Sequence, residues 1–421
     1  MSENKSVIVC GGGIMGLCCA YYLARDGADV TIVERNGEDR DHCALGSAGY
    51  VSPSHVIPLA APGMVWQGFK WMFNPRSPFH VKPRLEAEFI RWSWLFWRAC
   101  TPAHTRRSAP VLADLCLQSR ELFVEFDNLT GGAAFDFEKK GLINLCRSSE
   151  SVQKETQGLG RIANEVGVEA RTIGMDEVRA LNPGMKIEAA GGVFFPIDAH
   201  VTPGRHAAAL LAQLKVMDVK FRWNTAVTGW RTDGDRIAAV RTAEGELTAD
   251  EYVLAGGSWS PGLLAGLGVR MPVQAGKGYS LTLPKPPVRA TVPMILKESR
   301  IAITPMGAAM RFGGTMELSG VNHAIRPERV AQIVESVPQW LPDYRAEHFA
   351  GIEPWCGLRP VSPDGMPYIG RFRRHRNLTA ATGHAMLGLT LAPITGRLVS
   401  EVVHDRKPGV DLTTLDPDRY A

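Results

Sequence analysis

The sequence predicts an α/β protein of two domains, one of them a Rossmann-like dinucleotide-binding unit. Three observations carry this: a glycine-rich opening, a second strand that ends on an acid, and the chain length. The opening reads "VIVCGGGIMGLCCAYYLARDGADVTIVER". "SVIVC" is continuously apolar and stopped by glycine, the pattern of a parallel strand buried on both faces. Gly11, Gly13 and Gly16 then form G-x-G-x-x-G. The first glycine permits the tight turn, the second lets backbone approach a pyrophosphate, and the third allows close helix–strand packing. Residues Ile14 to Arg25 read as a helix, with Gly27 placed for a left-handed C-cap. Phosphate would rest on the N-terminus of that helix, where free N–H groups favour anions. "DVTIVE" is the second strand, and Glu34 at its end can accept hydrogen bonds from an unphosphorylated ribose. This unit by itself does not separate NAD from FAD.

At 421 residues the chain is too long for one small core. The net charge of +4 supplies no global basic field, and no nucleic-acid-binding signature occurs, so no nucleic-acid partner is expected. None of the eight cysteines forms a C-x-x-C pair, so no metal site is expected and the usage suits a reducing compartment. The N-terminus enters a strand directly, without the apolar region and cleavage site of a signal peptide. No uninterrupted apolar run reads as long enough to span a bilayer. The expected location is the cytoplasm, or the cytoplasmic face of the inner membrane as a peripheral protein.

Later stretches carry a resemblance. They are "AGYVSP" (48–53), "NTAVTGW" (224–230), "YVLAGGSWS" (252–260), "VQAGKGYSLTL" (273–283), "GLRPVSPDGMPYIG" (357–370) and "NLTAATGHAMLGLTLAPITGRLVSE" (377–401). In this order they resemble the D-amino-acid oxidase-like superfamily of flavoproteins, and are most similar to bacterial D-amino-acid dehydrogenases, alongside glycine oxidase. The resemblance implies FAD. It also implies a discontinuous FAD-binding domain over 1–63, 198–271 and 356–421. A second α+β substrate domain on a mixed sheet would take 64–197 and 272–355. Cofactor contacts implied at the adenosine and pyrophosphate end are Gly11, Gly13, Ile14, Met15, Gly16, Glu34, Arg35 and Val227. Around the flavin they are Ser47, Ala48, Gly49, Val51, Gly256, Trp259, Gly383, Gly388, Leu389 and Thr390. The helix "LTLAPITGRLVSEVV" would point its positive N-terminal end toward the flavin.

Oxidising an amino acid by hydride transfer from Cα to flavin N5 asks the protein for a cation on the carboxylate and a shaped pocket. Arg359 stands where the family places the arginine that forks the substrate carboxylate, a geometry guanidinium matches in bidentate fashion. The plain alternative for Arg359 is a structural ion pair. Tyr279, His55 and His384 are further catalytic candidates as pocket walls or hydrogen-bonders, and His200 is a weaker one. Where glycine oxidase carries an arginine in G-H-x-R-x-G, this chain has "GHAMLG", with Met386 in that place. The lost cation argues for a substrate with a hydrophobic or cyclic body, such as D-proline or cis-4-hydroxy-D-proline. The reading is therefore an FAD-dependent D-amino-acid dehydrogenase that passes electrons to a quinone or another acceptor. The alternatives are an oxygen-using glycine- or sarcosine-type oxidase and a flavoprotein subunit of a larger electron-transfer complex.

Five of the ten tryptophans fall within 66–97: Trp66, Trp71, Trp92, Trp94 and Trp97. Phe69, Phe73, Phe79, Phe89 and Phe96 are interleaved with them. Residues 64–107 carry eight basic residues, Arg76 and Arg91 among them, against two acids. This is the composition of an interfacial membrane helix, and equally of a helix pair whose aromatics form core and pocket lid.

Overall fold

A computed structural model describes the backbone of residues 4–72, 77 and 79–421, and the side chains of all these except 69–72. The expectations for Phe73 and Arg76, and for the side chains of Phe69 and Trp71, lie outside the described residues.

Apolar strands segregate into two large sheets. The first has six strands in the order Tyr368–Arg371, Leu378–Thr382, Glu251–Leu254, Ser6–Cys10, Asp29–Val33 and Lys220–Arg222. All neighbours pair in parallel except the first two. Chain order reverses at Ser6–Cys10, so the crevice beyond its carboxyl end is the topological switch point where such folds bind ligands. The fingerprint helix Ile14–Arg25 is almost wholly buried. It shares a core with the C-terminal helix Gly388–Val403 and with Pro102–Leu129. That C-terminal stretch, taken as Ala385–Val403, is long and apolar enough to cross a membrane, contrary to the reading of the sequence, and most of it is buried inside the fold.

The second sheet is mixed and has nine strands. Its main path runs Trp355–Val361, Gln274–Leu283, Ala309–Leu318, Ile301–Met306, Met294–Leu296, Leu142–Cys146, Gly191–Phe195 and Arg171–Ile173, and Phe79–Val81 pairs with Ala309–Leu318. One face packs on helix Pro327–Trp340 through Ile333, Val337 and Trp340. A two-residue pairing, Tyr50↔His200 and Val51↔Ala199, lies apart from both sheets. Val227–Asp233, Arg236–Thr242 and Gly245–Leu247 form a separate three-stranded meander, with Gly245 the first residue of its last strand. A continuous helical stretch over 149–165 contains one wide turn, Thr156–Gly160.

Two expected boundaries need correction. Residue 356 falls inside strand Trp355–Val361, which pairs with Gln274–Leu283, so the segment carrying Arg359 belongs to the second sheet. Helix Pro102–Leu129 was grouped with the substrate domain but buries Leu112, Leu115 and Phe123 in the core of the first. In both cases tertiary pairing, and not local pattern, sets the limit.

Helix Ala87–Ala99 divides the tryptophans. Trp92 is 3% exposed and donates from its indole nitrogen to Val361 O at 2.9 Å, while Trp94 and Trp97 are 51% and 62% exposed. The insert is therefore part anchor for the strand that holds Arg359 and part open surface.

Candidate active site

A cavity of about 1110 Å³ runs from the fingerprint, past the switch point, to the edge of the second sheet. At its first end Gly11 and Gly13 form the floor. A Cβ on Gly16 would stand 1.8 Å from Gly11 O, and one on Gly11 would stand 2.5 Å from Ala255 O. The turn thus closes only with bare backbone, and the N-terminal N–H groups of a 12-residue helix face the cavity. Glu34 lines the same end and accepts from Gly12 N–H at 2.7 Å and Asn36 N–H at 3.0 Å.

The sequence did not single out Arg40, which donates from Nε to Gly12 O at 2.9 Å and lies over the Trp223 ring at 4.5 Å. Its local bond, Nη1 to Glu38 O at 3.0 Å, does not mark it, because the contacts that place it at the fingerprint are 28 residues back and far ahead in the chain. Farther along, Arg35 stacks 3.9 Å over Trp259, whose other neighbour is the His323 ring.

At the far end stands Arg359, half-buried on strand Trp355–Val361. Its guanidinium lies across Gly278 of the neighbouring strand, where a Cβ would stand 2.1 Å from Nη1. Nη1 donates to Thr315 O at 3.2 Å. Thr315 has φ 60°, in the left-handed region that a β-branched residue rarely enters. It sits where pairing with Gln274–Leu283 slips register, and the bulge turns its carbonyl to the arginine. Burial pushes the guanidinium pKa down, and neighbouring Cys43 opposes that. No carboxylate of the described residues lies within ion-pair reach of Arg359, so the structural ion pair is not what this residue makes.

The wall around Arg359 is largely apolar. Trp355 covers Gly46 and Gly357, and its indole nitrogen donates to both carboxylate oxygens of Asp41 at 2.9 and 2.8 Å. Ile325 and Met386 also line this end, Met386 with 51% of its surface exposed. Trp355 was missed by sequence reading although it stands four residues before Arg359.

Of the expected cofactor contacts, Ile14, Met15, Ser47, Val227, Gly256, Trp259, Gly388 and Leu389 line the cavity, together with Gly11, Gly13, Glu34 and Arg35. Gly16, Ala48, Gly49, Val51, Gly383 and Thr390 are not among the lining residues. Gly49 approaches Val201 O and Gly383 the Tyr368 ring, and Val51 is core. Thr390 donates to Tyr50 O at 2.9 Å and receives Ser52 N–H at 3.4 Å, tying the C-terminal helix to the "AGYVSP" loop.

Two catalytic candidates, Tyr279 and His55, are corrected, because neither lines the cavity. Tyr279 follows Gly278, so alternation sends it to the opposite face of the sheet from Arg359. There its hydroxyl donates to Glu317 Oε2 at 2.9 Å beside buried Lys277. His55 lies off the cavity, and burial, then the Lys297 charge, lowers its pKa to about 4. His384 does line the cavity, but burial lowers its pKa to about 3 and it hydrogen-bonds Thr395 Oγ1 at 2.9 Å, a neutral structural partner. His200 is buried across from Tyr50 and is likewise held neutral by burial, at about 4.

A model of the FAD dependent oxidoreductase family matches residues 6–402, nearly the full chain. The chain belongs to this family. It is 33% identical over 420 residues to the D-amino acid dehydrogenase of Granulibacter bethesdensis, covering 99% of each chain. It is 34% identical over 425 residues to that of Bradyrhizobium diazoefficiens, again covering 99% of each. Its fold matches glycine oxidase from Geobacillus kaustophilus with a TM-score of 0.78 at 23% identity, over 99% of this chain and 100% of that one. The flavoprotein family binds FAD, and the cavity fits it. The glycine floor and helix N-terminus would hold the pyrophosphate, Glu34 would meet the ribose, and the far half of the long cavity would take the flavin ring.

Proposed function

We propose that this flavoenzyme oxidises a D-amino or cyclic D-imino acid, such as D-proline or cis-4-hydroxy-D-proline, and passes the electrons to a quinone or similar acceptor. Bound FAD supplies the hydride acceptor at N5. The observation that carries the reading is Arg359: a half-buried guanidinium in the cavity with one N–H bonded to Thr315 O and no carboxylate partner among the described residues. Such a group favours an anionic ligand, and its planar fork orients a carboxylate. Trp355, Ile325 and Met386 offer apolar contact to the substrate body and exclude water. His384 and His55 are neutral, so neither competes with Arg359 for the carboxylate. A substrate amine that binds neutral then needs no protein base. The D-amino acid dehydrogenases to which the chain is similar support the substrate class. Met386 at the place of a second cation supports a cyclic or apolar substrate over glycine.

For the acceptor, Ile90, Trp94 and Trp97 are exposed on one side of helix Ala87–Ala99, with Val65 and Trp66 exposed on the helix before it. This row supports peripheral contact with a membrane that holds the quinone.

The deciding experiment is anaerobic bleaching of the flavin by a panel of D- and L-amino acids, with cyclic members included. Rapid bleaching by cyclic D-amino acids is expected. Bleaching only by glycine, sarcosine or L-amino acids would overturn the substrate reading. Stoichiometric peroxide in air, with no quinone-linked turnover, would overturn the acceptor.

A further inference from the structure

Arg311, on strand Ala309–Leu318, is not in the cavity wall, yet three of its hydrogen bonds converge near it. Nη1 donates to Leu45 O at 2.6 Å and to Ser47 O at 2.8 Å, and Nε donates to Thr282 Oγ1 at 3.0 Å. All three acceptors are neutral, and no described carboxylate pairs with the guanidinium. Taking an unpaired cation out of water is expensive, and buried charges are ordinarily paired.

The two carbonyls belong to the loop that follows Ala44, and Ala44 and Ser47 line the cavity. In a planar trans peptide the N–H points opposite to the C=O. When Leu45 O and Ser47 O turn to Arg311, the N–H groups of Gly46 and Ala48 therefore turn away from it. Neither N–H has a protein acceptor among the described residues, whereas Leu45 N, Ser47 N and Gly49 N all do.

We propose that Arg311 is a positioning residue for the flavin. It gathers two carbonyls of the loop whose Ala44 and Ser47 line the cavity, and so fixes that loop against the ring, and its uncancelled charge favours the reduced, more negative cofactor. Lysine retains the second but not the first, because its one ammonium lacks the separate Nε donor with which Arg311 is held on Thr282 Oγ1 while Nη1 reaches both carbonyls. The inference rests on FAD alone and is independent of which substrate is oxidised.

The test titrates apoprotein with FAD, and equilibrates the bound flavin against a redox dye, with no amino acid present. Arg311→Met is expected to bind FAD at least tenfold more weakly. Its reduction equilibrium constant should also fall about tenfold, about 30 mV lower for a two-electron couple. Arg311→Lys should lose affinity and hold the potential. A Met variant whose flavin potential is unchanged overturns the electrostatic half, whatever its stability. A Lys variant that binds FAD as tightly as the wild type overturns the positioning half. If the Met variant fails to fold, Arg311→Gln is measured in its place with the same expectations.

Discussion

Replacing Arg359 with methionine removes the one cavity cation we assign to the substrate carboxylate, while keeping much of the side-chain volume. Arginine has five N–H donors, and Thr315 O engages one of them. The remainder suffice for a two-bond fork. Hydrogen bonds to charged groups contribute about 1.5–3 kcal/mol each. The site is half-buried and partly screened, so the lower part of that range applies, and two bonds come to about 3–4 kcal/mol. At 1.36 kcal/mol per tenfold, kcat/KM should drop by about two to three powers of ten. Arg359→Lys keeps the charge but not the fork, and should lose about one power of ten. Stopped-flow flavin reduction by the best D-amino acid, on protein with confirmed flavin content, reads both. A methionine variant within fivefold of wild type at full flavin loading would remove Arg359 from substrate binding, and with it the main support for an amino-acid substrate.

Three further outcomes follow from the geometry. Gly16→Ala places a methyl into Gly11 O, so the purified protein should carry little FAD and remain apo when FAD is added; full loading would show that the turn adjusts. Lys277→Met strips the buried ammonium from Glu317, Asn322 and Ala324 O, and should cost about 3–5 kcal/mol in urea unfolding, with Lys277→Met/Glu317→Leu recovering part of it; an equal loss in both variants would contradict the pairing. Asp198 is buried on Ser54, and burial raises its pKa to about 7, so the folded state binds more protons than the unfolded chain between about pH 4 and 7. Stability from this group is full below that window and is lost as pH rises through about 7. Asp198→Asn should remove this slope from the pH dependence of unfolding, and parallel curves for wild type and variant would refute the assignment.

The candidate site was legible in the sequence where its parts are contiguous. Gly11, Gly13 and Glu34 act through one strand–turn–helix–strand unit, and the spacing of that unit is itself the geometry. Arg359 was legible through its motif, though not the reason it stands free. That reason is a bulge at Thr315 on a strand more than forty residues earlier, and a bare Gly278 beneath the guanidinium. Tyr279 was misplaced because a strand's alternation divides its residues between two faces without saying which face meets the cavity.

By itself the sequence determined the fold class and the dinucleotide crevice, since backbone torsion, glycine sterics and short-range periodicity are local properties, and its ordered motifs carried the resemblance to the family. Only the tertiary structure decided that Trp92 anchors while Trp94 and Trp97 face outward, and that Arg359 belongs to the second sheet. It also decided that Arg311 reaches back to the loop at Leu45 and Ser47. Each of these depends on which distant strands pair and which face of an element is covered. Those choices are made by burial and hydrogen bonding across hundreds of residues, where no local spacing records them.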